Sequence, residues 1–226
     1  MRGALAAAAL VLAVVVVVPA NQREETASIS GHVKLTRSRG KPLPSNIYQP
    51  RAVADRVAAG APDIKNVVVY LSRPTFRGAL PVSRPAIRQE REEFMPRVVA
   101  ITRGSTVEFP NADPVFHNVF SLSSAATFDL GRFPKGRSRA ETFVKPGLVK
   151  VYCHLHSHMS ASILVLDHPY FAIPDLDGSF TLTGVPSGRH TVVGWHERVG
   201  ERSTSIDVHP GASASVELVL PVEDPR

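Results

Sequence analysis

From Leu148 to Cys153 the residues alternate, with Val149, Val151 and Cys153 facing one way and Lys150 and Tyr152 the other. That is the pattern of a half-buried β-strand. The strand ends on the only cysteine of the chain, and His154, His156, His158 and Met159 follow at once. Nine residues from Val151 to Met159 thus hold one thiol, three imidazoles and a thioether. A strand that delivers an inward-pointing thiol to such a loop requires other strands to close a core around it. It also makes the loop a metal-site candidate, because the spacing Cys-x-x-His-x-x-Met lets Cys153, His156 and Met159 converge on one centre.

A second imidazole is available upstream. Ser105–Phe109 reads as another strand, with Val107 and Phe109 on one face and Thr106 and Glu108 on the other, and the segment after it runs to His117 and Asn118. His117 is expected on a loop held by that strand. Two imidazoles, a thiolate and a weak thioether are a donor set that suits copper, and the thioether makes zinc the second choice. There are plainer alternatives. A lone buried cysteine can be an inert small hydrophobe, and a His-rich tract can be a solvated loop. A Cys/His nucleophile would need an orienting acid and an oxyanion site; the sequence announces neither, so no enzyme is expected. His154 and His158 read as solvated flanking residues, with His158 the fallback ligand should His156 not serve.

The two segments together resemble the cupredoxin family of small copper electron carriers, and the loop spacing is similar to that of amicyanin. The likeness runs from about Ala86 to Leu166 and places the domain at 86–168. It implies a Greek-key β-sandwich that holds copper through His117, Cys153, His156 and Met159. It also implies that Asn118 ties the two ligand loops together, and that single electrons pass between redox partner proteins. Phe116 stands where many cupredoxins have proline before the first histidine.

The rest of the chain agrees with an all-β protein. Many short Val-rich runs are punctuated by nineteen prolines and fifteen glycines, which favours sandwiches over helical packing. One short helix is predicted at Pro50–Gly60, between an opening proline and a closing glycine. At the N-terminus Arg2, an apolar run to Val18 and the small residue Ala20 have the layout of a secretory signal peptide spanning 1–20. The run is short for a membrane span. A periplasmic or secreted protein with no stable span after cleavage is therefore expected, and in such a compartment an unpaired thiol needs a reason such as a metal. The formal charge of +6 is interspersed with acids and carries no nucleic-acid motif, which points to acidic protein partners and away from DNA.

Strands are also predicted at Ile29–Leu35, Asn66–Leu71, Ala86–Glu90 and Phe94–Ile101, with 72–85 a proline- and arginine-containing linker. After Asp167 the character changes. Gly178-Ser-Phe-Thr-Leu182, then Val185-Pro-Ser-Gly188, then the alternating strand to Trp195 resemble the transthyretin-like regulatory domain of carboxypeptidases. That resemblance needs early strands, found at Gly31–Val33 and Val67–Leu71, so residues 27–73 and 170–222 would form one sandwich with the copper domain inserted between them. Trp195 reads as a core residue of that sandwich. Chains combining both parts resemble bacterial plastocyanin-like or methylamine-utilisation proteins. The leading expectation is an exported type 1 copper electron carrier. The alternatives are a copper-binding module for storage, delivery or sensing, and a docking or carbohydrate-binding sandwich with a structural metal.

Overall fold

The computed structural model describes residues 27–38 and 64–223. The signal peptide expected at 1–20 and the helix expected at 50–60 lie outside the described residues. The chain runs through β1 (Ala27–Ser38), a 3-10 turn (Ile64–Asn66), β2 (Val67–Leu71), β3 (Arg88–Glu90), β4 (Glu93–Met95), β5 (Val98–Thr102) and β6 (Thr106–Pro110). It continues through β7 (His117–Ser123), β8 (Ala126–Phe133), β9 (Ser138–Thr142), β10 (Gly147–Tyr152) and β11 (Ser160–Leu166). It closes with β12 (Phe171–Ala172), β13 (Ser179–Val185), β14 (Gly188–His196), β15 (Gly200–Val208) and β16 (Ser213–Glu223). Among the described residues the 3-10 turn is the only helical piece, and no helix is long and apolar enough to cross a membrane.

One group of sheets is five-stranded, in the order β5-β11-β10-β7-β8, accompanied by the pairs β6-β9 and β3-β4. Its core holds Val107, Phe109, Val119, Phe133, Val149, Val151 and Ile163. The alternation of β6 and β10 sets this up, since every second side chain of a pleated strand points inward. The other group is a three-stranded sheet, β13-β1-β16, and a four-stranded one, β12-β2-β14-β15, which share a core of Ile29, Val67, Val69, Leu71, Leu182, Val192 and Leu220. Here β1 lies antiparallel to β13 and parallel to β16. Gly31 is required at that crossing, because a Cβ there would stand 2.1 Å from the carbonyl oxygen of Val216.

The two groups meet along a third cluster, in which Val98, Leu164 and Leu166 from one pack with Val68 and Trp195 from the other. This seam explains why Ile163–Leu166 is apolar on both faces: Ile163 and Val165 fill the first core while Leu164 and Leu166 fill the seam. Each such side chain removed from water contributes about 2 kcal/mol. Lys150 borders the seam, donating to Ser162 Oγ at 3.0 Å and pairing with Glu197. One expectation is corrected: Phe94–Ile101 is not a single strand. Pro96, with no N–H to give a ladder, divides it, so β4 pairs with β3 while β5 crosses to lie parallel to β11.

Candidate metal centre

The thiol arrives as its strand pattern requires. Val149, Val151 and Cys153 are buried and Tyr152 is exposed. Tyr152 pairs with Ser160 across β10 and β11, so residues 153–159 form the loop joining these strands, tightened by a bond from the Met159 amide to the His156 carbonyl at 3.0 Å. Cys153 and Met159 are both buried, at 4% and 1% exposure. The other imidazole comes from β7, which pairs with β10 at Phe120 and Tyr152. His117 is not a loop residue, as the sequence suggested: it opens β7, opposite Phe133.

Three donor atoms converge. Nδ1 of His117 and Nδ1 of His156 are 3.1 Å apart, and each is 3.9 Å from Cys153 Sγ. Bonds of about 2.0 Å to each nitrogen and about 2.3 Å to sulfur reach a common point close to the plane of this triangle. The residues therefore fit a metal ion held by three ligands. Met159 is buried at the end of the same loop and, with Phe94, Arg97 and His158, lines a cavity of about 200 Å³.

The flanking histidines are engaged elsewhere. His154 stacks flat on Phe120, ring centroids 3.7 Å apart, and its Nε2 lies 3.7 Å from Asp129. His158 Nε2 lies 3.7 Å from Glu92. Asn118 spans the two ligand segments: its Oδ1 accepts the His154 amide at 3.4 Å and its Nδ2 donates to Asp129 at 2.6 Å. Hydrogen bonds from the Gly131 amide and Asn118 hold the Asp129 carboxyl below its ordinary value.

Asp113 is the residue the sequence did not single out. Its Oδ2 is 2.8 Å from His117 Nε2, and both side chains are buried. The carboxylate also accepts the amides of Arg91 at 2.6 Å and Glu92 at 2.8 Å. Its own amide donates to Asn111 Oδ1 at 2.9 Å, while Asn111 Nδ2 donates to the carbonyls of Val115 and Phe133. Burial alone would push the Asp113 carboxyl up; the bonds from the Glu92 amide, His117 and the Arg91 amide outweigh it and hold the group below the usual carboxylate range. An aspartate four residues before a candidate histidine ligand was the available signal.

No family model matches the chain, and no curated protein matches it in sequence. Among solved structures, an amicyanin from Paracoccus versutus is 23% identical over 38% of this chain and 85% of that one, with a TM-score of 0.35. A purple cupredoxin from Nitrosopumilus maritimus is 25% identical over 34% of this chain and 84% of that one, TM-score 0.31. A copper-containing nitrite reductase from Thermus scotoductus is 26% identical over 42% of this chain, TM-score 0.36, and only 25% of that longer chain is covered.

Proposed function

We propose that this chain is a type 1 copper protein that carries single electrons between redox partner proteins, with His117, Cys153 and His156 as the strong ligands and Met159 as the weak fourth. The observation that carries this reading is the triangle of two imidazole nitrogens and one buried sulfur whose edges suit an ion near its plane. A trigonal His2Cys set with a distant thioether is the blue-copper arrangement, whereas a structural zinc closes a tetrahedron. Copper bound there supplies a one-electron couple. The chain's part is to hold the donors in place: the strand pairing of β7 with β10 fixes His117 beside Cys153, and the buried surroundings keep water from the sulfur.

Asp113, His117 and Cys153 also have the composition of a Cys-His-Asp nucleophile. Two imidazoles converge on Sγ, however, and Cys153 is 4% exposed, so a metal accounts for the arrangement better than acyl transfer does. Adding Cu(II) to the purified full chain is the test. An intense thiolate-to-copper absorption band, lost in Cys153→Ser, is expected. Tight binding of colourless Cu(I) with no band on oxidation would replace the electron carrier with the storage or delivery reading.

The proposal extends to the layout of the chain. On this reading residues 27–73 and 170–222 belong to one sandwich and 86–168 to the other; the place of β1 between β13 and β16, and of β2 between β12 and β14, supports it. A fragment 170–222 lacks both central strands and should show no cooperative thermal transition; a sharp transition would refute the interleaving. Export with removal of residues 1–20 is part of the same reading, and intact mass of the exported protein tests it.

A further inference from the structure

The hairpin of β3 and β4 contains an anomaly that the metal centre explains. Glu90 pairs with Glu93, leaving Arg91 and Glu92 as a two-residue loop. Both have positive φ, 57° and 56°. A turn with two left-handed residues normally carries Asn-Gly or Gly-Gly, since a Cβ is disfavoured there. Two long side chains at these positions need compensation. It comes from the backbone: the consecutive amides of Arg91 and Glu92 point into one concavity and both donate to the Asp113 carboxylate. Successive N–H groups arranged in this way form a nest for an anion. The anion is a buried side chain whose remaining contact is the Nε2 of His117.

We infer that Asp113, seated in the Arg91–Glu92 nest, is a positioning residue for His117 that fixes which ring nitrogen faces Cys153 and His156. A carboxylate has no proton to give, so the short contact requires His117 Nε2 to donate. In the neutral ring the lone pair then lies on Nδ1, the atom 3.9 Å from Cys153 Sγ. Binding a metal at Nδ1 therefore requires neither a ring flip nor a change of tautomer. A carboxylate behind an imidazole ligand also raises its basicity. Glu92 adds a second, solvent-exposed link through His158, and an exposed pair of this kind contributes little. The hairpin thus acts on the centre through Asp113.

The tautomer stands independently of the copper reading, while the effect on metal affinity rests on it. The experiment measures both on the full chain. In the metal-free protein, nitrogen NMR of labelled histidine should show His117 as a single Nε2–H tautomer. Asp113→Leu, which is close in size and has no acceptor for His117 Nε2–H, should abolish that single state, and Asp113→Ala should do the same. Copper affinity, measured by competition with a chelator, should fall about 10-fold to 100-fold in both variants. The double change Arg91→Asn with Glu92→Gly keeps both amides and suits the turn, so it should retain wild-type affinity. If Asp113→Ala does not fold, Asp113→Leu alone decides. Wild-type tautomer and affinity in Asp113→Leu would overturn the proposal. A wild-type protein that binds no copper but loses its single tautomer in Asp113→Leu would refute the copper reading and leave Asp113 as the positioning group.

Discussion

His117 and His156 bring the same ring nitrogen to the same point and are held in opposite ways. His117 opens a strand, is fully buried, and has its far nitrogen on Asp113. His156 lies in the middle of the 153–159 loop, is half-buried, and its far nitrogen has no hydrogen-bond partner among the described residues. One imidazole is therefore part of the fold, while the other depends on the loop and on what it binds. A centre built this way has a fixed wall, made of His117 and Cys153, and an adjustable one.

Alanine at each position is the strongest way to break that contrast. His117→Ala should abolish metal binding and also lower the stability of the metal-free protein by about 2 kcal/mol, because it strips a charge-assisted hydrogen bond from a buried carboxylate. His156→Ala should remove the colour yet leave metal-free unfolding within about 0.5 kcal/mol. Urea titrations of both metal-free variants are the check, and equal losses would end the distinction. Met159→Leu, a near volume-conserving change in a buried site, should cost less than about 1.5 kcal/mol. It should keep the absorption band while shifting the potential, measured by redox titration, because the axial ligand tunes the couple.

His168 sharpens the comparison as a buried histidine outside the ligand triangle. Its Nδ1 accepts the Tyr170 amide at 3.2 Å, the two rings stack, and burial lowers its pKa. A depressed histidine pKa means the folded state prefers the neutral ring. Its contribution to stability is complete above the unfolded value of about 6.5 and is lost as pH falls from there toward the lower folded value. Stability of the metal-free chain should thus drop between neutral and mildly acid pH, and His168→Gln should flatten that slope. The smallest effects belong to His154→Ala and His158→Ala. Both residues are exposed and loosely paired, so each should change stability by less than about 1 kcal/mol and leave the spectrum in place. Bleaching by His158→Ala, with colour retained in His156→Ala, would reassign the second imidazole.

Much of this was legible because it is local or follows from burial. The alternation ending at Cys153 and the doubly apolar Ile163–Leu166 both encode which faces are covered, and the loop spacing brings Cys153 and His156 together whatever surrounds them. Asp113 offered only its place four residues before His117 as a signal, since between Ala112 and Pro114 it reads as an ordinary loop acid. Its meaning comes from the amides of residues 91 and 92, about twenty positions upstream, which nothing in their side chains advertises. The sequence suggests a loop for His117 because it follows the Ser105–Phe109 strand, whereas the exposed Val115 and Phe116 complete that loop and a new strand begins at the histidine itself. The break at Pro96 was written in the sequence and was outweighed there by the apolar residues on either side.

The pairing of β1 with β16 has a consequence for how the molecule comes into being. In a chain made from its N-terminus, β1 is synthesised before every other described strand, yet its neighbours β13 and β16 begin only at Ser179 and Ser213. The five-stranded sheet, by contrast, has all its members by Leu166. Sheets that depend on distant pairings close slowly, and an unpaired strand is open to wrong partners while it waits. The sheet around the thiol should therefore close before β1 finds β13 and β16. In pulse-labelled hydrogen exchange during refolding, amides of Val98–Leu166 should gain protection before those of Ile29–Leu35.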